Sequence, residues 1–433
     1  MKQERDSKGM SRREFIKKAG TTAAGVVAGS MLGSKLFAQS APAPGSVLGA
    51  NDRINIGFIG VGGMGSGHVS MVKSLSEEQN VRIVAVCDVW EKRRRQNQAR
   101  AELRDDQVYS DYRKLLENKD IDLVVIATPD HWHAPIAIAA MEAGKHVYVE
   151  KPMCRYMDEA LKMYETAKRT KRLVQVGSQG CTDAKWHKAG ELVRAGKIGT
   201  LLSAQGSYRR NNPNGEWNYP IDPDLTEQTC DWKMWLGNAP KRPFSPERFF
   251  RWRKYWDYGT GIIGDLWPHR LHPLMIAMSI TDFPYRVACV GKDICHTDQG
   301  HAEPRDVADE TQMLAEFPSG AIIYLAGSTV NELGLEDLIR GNKATMFFGG
   351  GKIQIRPERP YADEIEPEDI TYEGPGEDQR EHHKNLWYCI RNNKEPNCNI
   401  DLGLRVQTIV CMAEISYRKN KMAIWDPVKK RIV

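Results

Sequence analysis

Short apolar runs alternate with segments of helical length in the first half of the chain. The runs occupy residues 54–59, 81–87, 121–127 and 146–149. A continuous apolar run of this length is typical of a parallel strand covered on both faces, and the more polar segments between the runs are long enough for helices. The alternation predicts an α/β fold that begins with a doubly wound parallel sheet of the Rossmann type.

The pattern changes after residue 178, where apolar and polar residues begin to alternate along the chain. A broad second sheet is predicted from strand-like stretches at 201–208, 285–296, 309–317, 321–330 and 344–355, with helices at 382–392 and 401–418. We therefore divide the chain into an N-terminal segment (1–43), a Rossmann domain (52–178) and a second α/β domain (179–433).

The N-terminal segment has the layout of an export signal. Ser11-Arg12-Arg13-Glu14-Phe15-Ile16-Lys17-Lys18 resembles the twin-arginine signal, a weakly apolar stretch follows at 19–36, and residues 37–43 offer small-residue cleavage sites. Gly, Ser and Lys35 interrupt the stretch, which makes it a poor membrane span. The segment predicts export of the folded protein by the twin-arginine machinery to a periplasmic or extracytoplasmic location. Free dinucleotides are scarce there, so we expect any dinucleotide to be tightly bound.

The net charge excludes one class of partner. The chain has a formal charge of +5 at pH 7, and eight Lys and Arg residues against three acidic ones within residues 1–38 account for all of it. The remainder is formally neutral, which argues against nucleic acid as a ligand. Nine cysteines are scattered without a C-x-x-C pair or zinc-like spacing, and we expect them to be small core residues.

A glycine-rich turn follows the first apolar run and fits G-x-G-x-x-G. Backbone N–H groups at such a turn, and the helix that follows it, can bind a pyrophosphate. An acidic residue after the second strand, Asp88, is placed to accept hydrogen bonds from a ribose 2′-hydroxyl, which favours NAD over NADP. Arg93 is the argument against this preference for NAD, because a nearby arginine can bind the 2′-phosphate of NADP. The predicted cofactor contacts in this turn are Gly60, Gly62, Gly63, Met64 and Gly65.

Three motifs together resemble the glucose–fructose oxidoreductase / inositol dehydrogenase family, known as Gfo/Idh/MocA. They are the glycine turn, Ala127-Thr128-Pro129 with His133, and Glu150-Lys151-Pro152. The resemblance spans residues 52–433. It implies a second domain with a large, open, mostly antiparallel sheet, which commonly forms the interface of a homo-oligomer, here a dimer or tetramer. It also implies that Lys151 approaches both the nicotinamide ribose and the substrate hydroxyl, with further cofactor contacts from Thr128, His133, Glu150 and Gln179.

The resemblance also places catalytic residues in the second domain. Asp265 and His269 match its Asp-x-x-x-His motif, and four-residue spacing puts both on one face of a helix. His272 stands where relatives often have an acid, and we assign it to substrate recognition. The three residues could instead be metal ligands, but no further ligand is evident nearby and we expect no metal.

An aromatic-rich loop spans residues 211–260. Sugars stack on aromatic rings, and we expect two or three of these rings, including Trp256 and Tyr258, to contact substrate while most of the others are structural. His382 or His383 is a further candidate, because relatives carry a histidine there that approaches the active site.

These features predict an exported NAD-dependent oxidoreductase that acts on a secondary hydroxyl of a sugar, glycoside or cyclic polyol. His269 would be the general base, oriented by Asp265, and Lys151 would stabilise the developing alkoxide. The alternative is a redox-neutral NAD-dependent glycosidase or lyase, since the family includes such α-N-acetylgalactosaminidases. A non-catalytic sugar or NAD sensor is a third possibility, against which the intact set of Lys151, Asp265 and His269 argues.

Overall fold

The computed structural model describes residues 53–433, so the predicted export signal and its linker (1–43) lie outside the described residues. The first sheet has six parallel strands in the order β3-β2-β1-β4-β5-β6. Their bounds are β1 (Ile54–Ile59), β2 (Val81–Cys87), β3 (Val108–Tyr109), β4 (Leu123–Ile126), β5 (His146–Glu150) and β6 (Val174–Gly177). This order places β1 at the centre of the sheet, next to the point where the strand order reverses, which is where such sheets bind ligands.

Helices cover this parallel sheet as the alternation predicted. They are α1 (Gly63–Leu75), α2 (Glu91–Ala101), α3 (Tyr112–Glu117), α4 (His133–Glu142) and α5 (Met157–Thr170). The next helix, α6 (Ala184–Arg194), packs instead against the later helix Pro268–Met278 and the strand Lys352–Pro357. Asp111 and Asp183 cap α3 and α6 by accepting a backbone N–H in the first turn. The N-terminus of α1 has no side-chain cap, so its first N–H groups remain available.

The second sheet has ten strands in the order β14-β13-β12-β11-β7-β10-β9-β8-β15-β16. All neighbours are antiparallel except β7 and β10, which confirms the predicted large, mostly antiparallel sheet. The bounds are β7 (Leu201–Arg209), β8 (Arg286–Lys292), β9 (Glu310–Glu316), β10 (Ile322–Ser328), β11 (Leu338–Gly341), β12 (Ala344–Gly349), β13 (Lys352–Pro357), β14 (Glu368–Thr371), β15 (Ala423–Asp426) and β16 (Arg431–Ile432).

The single strand predicted at 344–355 forms two strands in the structure, β12 and β13. The stretch 344–355 turns back on itself between β12 and β13, because Gly350 and Gly351 adopt positive φ angles of 58° and 71°. The short strands β11, β14, β15 and β16 carry too few residues to show a clear alternation, and the sequence pattern did not predict them.

The second half of the described chain carries six further helices. They are α7 (Trp232–Leu236), α8 (Pro246–Phe250), α9 (Ile262–Asp265), α10 (Pro268–Met278), α11 (Gln379–Asn392) and α12 (Ile400–Lys419). The long helix α12 contacts both β8 of the second sheet and α5 beside the first. Buried side chains from both sheets, such as Ile126 and Ile323, belong to one hydrophobic core. None of the helices within residues 53–433 has the length and apolar character that a membrane span requires.

Candidate active site

The glycine turn adopts the geometry that its spacing predicts. Gly60 has a φ of 80°, and a Cβ added there would lie 2.8 Å from the Thr128 backbone nitrogen. A Cβ added at Gly65 would lie 2.0 Å from the Gly60 carbonyl oxygen, so helix α1 can pack on β1 only with glycine there. A Cβ at Gly63 would meet nothing within 4 Å, and the Met64 side chain is exposed. The turn therefore leaves an open cradle beside the uncapped N-terminus of α1.

A cleft of about 450 Å³ opens from this turn along the carboxyl edge of the parallel sheet. The buried Thr128 hydroxyl has no hydrogen-bond partner among the described residues. An open glycine cradle, a bare helix N-terminus and an orphaned hydroxyl are the groups that a dinucleotide would satisfy, so the residues present fit that cofactor. The lining combines residues of the first sheet with residues that follow β7, namely Gly60, Gly62, Gly63, Met64, Asp88, Arg93, Thr128, Tyr219, Trp235, Phe249, Phe250, Trp252 and Arg253, among others.

Asp88 lies at the adenosine end of the cleft as expected of a ribose-binding acid. Its two carboxylate oxygens accept the N–H groups of Val61 and Trp90, each at 2.9 Å. A carboxylate has about four acceptor positions, so capacity for a ribose hydroxyl remains. The Arg93 guanidinium lies beside Gly62 and over the rings of Trp90 and Phe249, at 5.3 and 4.8 Å.

His133 lies beneath the cleft and does not line it. Its Nδ1 is 2.7 Å from the Pro152 carbonyl oxygen and its Nε2 is 2.9 Å from the Thr128 carbonyl oxygen. Burial lowers the pKa of the ring, although both carbonyls oppose this shift. His133 thus joins the end of β4 to the segment after β5. Its expected direct cofactor contact is corrected to an indirect one, because the side chain is buried.

Glu150 also points away from the open cleft. Its Oε1 accepts from His68 Nε2 at 2.9 Å, and His68 Nδ1 lies 2.9 Å from His383 Nε2. Burial opposes ionisation of Glu150, but the hydrogen bond from His68 and the nearby positive charge of Lys151 outweigh it and lower the pKa of the carboxyl. The carboxylate then fixes both rings: His68 donates from Nε2, and its Nδ1 accepts from His383. This chain links α11 to the cofactor helix α1.

Lys151 and Asp265 form the centre of the site. Lys151 Nζ donates to the Asp265 carbonyl oxygen at 2.6 Å and to its Oδ1 at 2.8 Å. Arg253 Nε donates to the same Oδ1 at 2.9 Å, and Trp217 Nε1 donates to Oδ2 at 3.2 Å. Burial raises the pKa of Asp265, but Arg253 and Lys151 outweigh it and hold the pKa far below its ordinary value. Asp265 is therefore a fixed anion. The Lys151–Pro152 peptide bond is cis.

Asp265 and His269 belong to two consecutive helices, which corrects the prediction of a single helix. Helix α9 ends at Asp265 and α10 begins at Pro268, and His269 N donates to the Leu266 carbonyl at 3.2 Å across the turn between them. His269 makes no hydrogen bond to Asp265; its ring stacks on Tyr208 at 5.1 Å and its Nδ1 has no partner among the described residues. Burial, with the Lys151 charge, lowers the pKa of His269 to about 3, so the ring is neutral at physiological pH.

The residues assigned to substrate recognition lie elsewhere. His272 is 2% exposed and its Nδ1 donates to the Pro268 carbonyl at 2.9 Å, within α10. Tyr258 is 0% exposed and packs against Trp235 at 4.7 Å. Because burial separates both side chains from the cleft, neither contacts a ligand there as placed.

Trp256 and Gln179 also fall outside the lining of the cleft. Trp256 Nε1 donates to the Asp306 carbonyl, and the Arg418 guanidinium lies 5.0 Å from its ring. Gln179 comes two residues after the end of β6, at the carboxyl edge of the sheet. Neither side chain lines the cleft, and the contacts of Trp256 with substrate and of Gln179 with the cofactor stay predictions.

Two residues that sequence reasoning did not assign lie at the centre of the site, Arg253 and Asp130. Asp130 is 2% exposed and follows Thr128 at the end of β4. Burial raises the pKa of its carboxyl from 3.8 to about 8, although Arg253 and Lys151 oppose this. Asp130 stands at the end of a strand, two residues after Thr128, and this position in the sequence could have predicted it as a site residue. Nothing in the sequence placed Arg253, because the loop that carries it comes from the second half of the chain.

Replacing Asp130 tests its protonation. Between about pH 4 and pH 8 the folded protein holds a proton on this carboxyl that the unfolded chain releases, so Asp130 lowers stability progressively as pH rises. We expect Asp130→Asn to remove this dependence, and its Tm relative to wild type to increase with pH across that window. Thermal unfolding at several pH values measures this. Asp120→Asn, at an exposed carboxyl, controls for loss of an acid, and a parallel response in both variants would contradict the assignment.

A segment after β7 closes the adenosine end of the cleft. We call residues 222–253 the cover segment. Glu91 N donates to the Thr229 carbonyl at 3.0 Å, and Asp231 N donates to the Val89 carbonyl at 3.1 Å. Lys92 Nζ reaches the carboxylates of two acids of the cover segment at 2.7 and 2.6 Å. The rings of this segment form an aromatic cluster that includes Trp90. Several rings of the loop are therefore buried in this cluster beside Trp90, which follows β2.

The described residues contain no group of three or more His, Cys, Asp or Glu side chains arranged to hold a metal ion. Eight of the nine cysteines are buried and Cys295 is exposed.

Comparisons with solved structures identify the same architecture. A levoglucosan dehydrogenase in complex with NADH and levoglucosan superposes with a TM-score of 0.63 at 20% identity, over 88% of this chain and 99% of the other. An oxidoreductase domain protein from Kribbella flavida gives a TM-score of 0.65 at 23% identity, over 86% and 98%. An aldose–aldose oxidoreductase from Caulobacter crescentus gives 0.63 at 18%, over 86% and 99%. At these identities the likeness concerns the fold alone.

Curated relatives are more similar in sequence over a shorter region. A glycosyl hydrolase family 109 protein of Shewanella pealeana is 35% identical over 227 residues, which is 46% of this chain and 46% of the relative. An α-N-acetylgalactosaminidase of Shewanella oneidensis is 33% identical over 211 residues, 46% of this chain and 45% of the relative. The chain spans about half the length of these relatives.

Family profiles match most of the described chain. Residues 54–178 match the oxidoreductase family profile described as an NAD-binding Rossmann fold, and residues 214–433 match the profile of its C-terminal α/β domain. The glycine cradle, the Lys151–Asp265 pair and nine of the ten strands of the second sheet lie within these two regions; β7 lies between them. The chain therefore belongs to the Gfo/Idh/MocA oxidoreductase family and begins its described part with an NAD-binding Rossmann domain.

Proposed function

We propose that the protein is an exported NAD-dependent oxidoreductase that acts on a secondary hydroxyl of a sugar, glycoside or cyclic polyol. The observation that carries this proposal is the convergence of Lys151, Asp265 and the neutral His269 at the carboxyl edge of a sheet whose cleft fits a dinucleotide. A bound nicotinamide supplies the hydride acceptor. NADP is the less favoured cofactor, because Asp88 at the adenosine end would repel a 2′-phosphate.

Lys151 is held ready to bind the reacting oxygen. Two of its three N–H donors are used on Asp265, and the third is free for a substrate hydroxyl. As the hydroxyl loses its proton, the ammonium stabilises the developing negative charge in a site that is largely shielded from water. Asp265 keeps the lysine charged and fixed in place.

His269 has a ring nitrogen without a protein partner and is neutral, so it can accept the hydroxyl proton. Because the pKa of the ring is lowered to about 3, we propose that the proton passes on from the imidazole and is not retained. Stacking on Tyr208 sets the plane of the ring.

The cover segment supports a resident cofactor. Backbone hydrogen bonds and aromatic packing hold it across the adenosine end of the cleft, so a dinucleotide could leave only if these contacts opened. Retention of the cofactor is also what export of a folded, loaded protein would require. The export signal at residues 11–18 supports a periplasmic or extracytoplasmic location.

We expect protein purified without added NAD to keep its dinucleotide through desalting, and Phe249→Ala to release it about 10-fold faster or more, because a buried ring over the cleft is lost. Release is followed by the fluorescence of displaced nucleotide. Phe283→Ala, at a ring that stacks on Trp425 away from the cleft, is the control. Equal release rates in the two variants would contradict a retaining role for the cover segment.

A redox-neutral glycosidase or lyase is the second candidate, favoured by the glycosyl hydrolase family 109 relatives. In that reaction, transient oxidation of a ring hydroxyl acidifies the adjacent C–H bond. Loss of that proton would expel the aglycone as an alcohol, with its oxygen taking up a proton, and would leave a double bond in the sugar. Water would add across this bond, and the hydride first taken by the bound nicotinamide would return to the carbonyl, so that the cycle involves no net redox change. The first step requires the same Lys151 and His269 roles, so the site geometry is compatible with both reactions.

One experiment separates the two. The purified holoenzyme is mixed with sugars and with chromogenic glycosides while absorbance of reduced nicotinamide and release of aglycone are recorded together. Lasting nicotinamide reduction with a keto-sugar product supports the oxidoreductase. Aglycone release without net reduction supports the glycosidase, and neither signal over a broad panel of carbohydrates would leave the sensor hypothesis.

The ten-stranded sheet supports a proposed homodimer or homotetramer. One face carries the exposed apolar side chains Val290, Leu314 and Ile424, which are 69%, 50% and 39% exposed, and the strand registers place them on the same side. Burial of this face against a second copy would remove it from water. Sedimentation of the purified protein tests this.

A further inference from the structure

Arg253 holds Asp265 with only part of its guanidinium. Nε donates to Asp265 Oδ1 at 2.9 Å, while the terminal amino groups make no hydrogen bond to any described residue. An arginine that serves only to bind a carboxylate commonly uses two parallel N–H groups on its two oxygens. Here Trp217 occupies Oδ2 and Lys151 shares Oδ1, so the terminal fork of Arg253 is left for another acceptor.

The fork is accessible from the cleft. Arg253 lines the cleft, and its side chain is 24% exposed, against 7% for Lys151 and 11% for Asp265. Its guanidinium lies 4.2 Å from the Trp252 ring, which fixes the plane of the fork. The most exposed cation of the cluster is therefore an oriented, planar pair of donors.

No acid among the described residues pairs with the two terminal amino groups of Arg253. Asp265 is already the acceptor for three donors. Asp130 is close enough to interact with Arg253 electrostatically, but burial raises the pKa of its carboxyl to about 8, so it is mostly protonated near neutral pH. The Glu150 carboxylate is bound to His68. A ligand that brings its own anion would satisfy the fork.

We propose that Arg253 binds the carboxylate of an acidic sugar, such as a uronic acid or its glycoside, and so sets the substrate class of the site. The inference rests on the proposed function, because it takes the sugar to react beside Lys151. The planar fork matches the two coplanar oxygens of a carboxylate, and the charge on those oxygens strengthens both hydrogen bonds in a way that the hydroxyls of a neutral sugar do not. The carboxylate would anchor the ring while a secondary hydroxyl reaches Lys151 Nζ.

The test compares matched sugar pairs on the holoenzyme. Binding of glucuronate and galacturonate is measured by calorimetry against glucose and galactose, and turnover is measured with the corresponding 4-nitrophenyl glycosides. We expect the acids to bind about 10- to 100-fold more tightly, as charge-assisted bidentate hydrogen bonds allow. Arg253→Gln should abolish this preference mainly through KM. Arg253→Lys should keep part of it, since the charge stays and the fork is lost.

Arg251→Gln is the matched control, because this nearby arginine uses its guanidinium on Glu247 and the Tyr219 carbonyl. Unfolding temperature and retained NAD are recorded for every variant. Equal binding of acidic and neutral sugars, or a preference that survives in Arg253→Gln, would overturn the inference. So would exclusive binding of 6-sulfated sugars, or an Arg253→Gln protein that loses NAD while its sugar selectivity is unchanged.

The two proposals fail separately. If uronates bind through Arg253 but are neither oxidised nor cleaved, the carboxylate site stands and the proposed activity does not. If neutral sugars turn over and uronates neither bind nor react, the activity stands and the carboxylate site does not.

Discussion

Lys151→Met should lower kcat by about 100- to 1,000-fold, the loss found when a single preorganised donor to a developing oxyanion is removed. Methionine approximates the lysine stem but supplies no charge and no N–H donor. The two bonds to Asp265 are lost, and with them the third donor that we assign to the substrate hydroxyl. The Asp265 carboxylate still accepts hydrogen bonds from Arg253 and Trp217, so the variant should fold, although with a lower unfolding temperature.

The measurement is single-turnover reduction of the bound nicotinamide, or aglycone release, with the substrate that the wild-type protein accepts. Lys168→Met, at an exposed lysine paired with Asp401, controls for loss of a positive charge. Retained turnover in a Lys151→Met protein that is folded and loaded with NAD would falsify the site assignment.

Gly65→Ala should abolish NAD binding and lower the unfolding temperature. The added Cβ would lie 2.0 Å from the Gly60 carbonyl oxygen, which is a backbone atom and cannot rotate away. Helix α1 must therefore shift from β1, and this shift carries the helix N-terminus out of the position that would hold the pyrophosphate.

Gly67→Ala is the matched control on the same helix. A Cβ added there meets nothing within 4 Å, so alanine should raise stability by about 0.5–1 kcal/mol through its helix propensity, with NAD binding unchanged. Calorimetric unfolding and nucleotide content after purification measure both variants. If the two substitutions had similar effects on NAD content, close packing at Gly65 would not be the reason for the motif.

Much of the first domain could be predicted from local patterns. A run such as residues 54–59 is largely apolar because a central parallel strand is buried on both faces, and the glycine spacing follows from the close contact between α1 and β1.

The positions of the site residues were harder to predict where they depend on the path of the chain between helices and through loops. Asp265 and His269 are four residues apart, but α9 ends at Asp265 and α10 begins at Pro268, so they do not lie on one continuous helix as the spacing predicted. Tyr258 and Trp256 belong to an aromatic loop, and nothing local distinguishes a ring that faces the cleft from one that packs beneath it.

Local patterns in the sequence were enough to predict the alternating strands and helices of the first sheet, the family, the glycine cradle and the place of Lys151 after β5. These depend on hydrophobic periodicity and on backbone requirements that only certain residues meet. The folded structure was needed to show that Arg253 and Lys151 share one oxygen of Asp265, that His68 joins Glu150 to His383, and that the cover segment lines the cleft. Each of these contacts joins residues far apart in the chain, and their geometry is set by how the two sheets pack together.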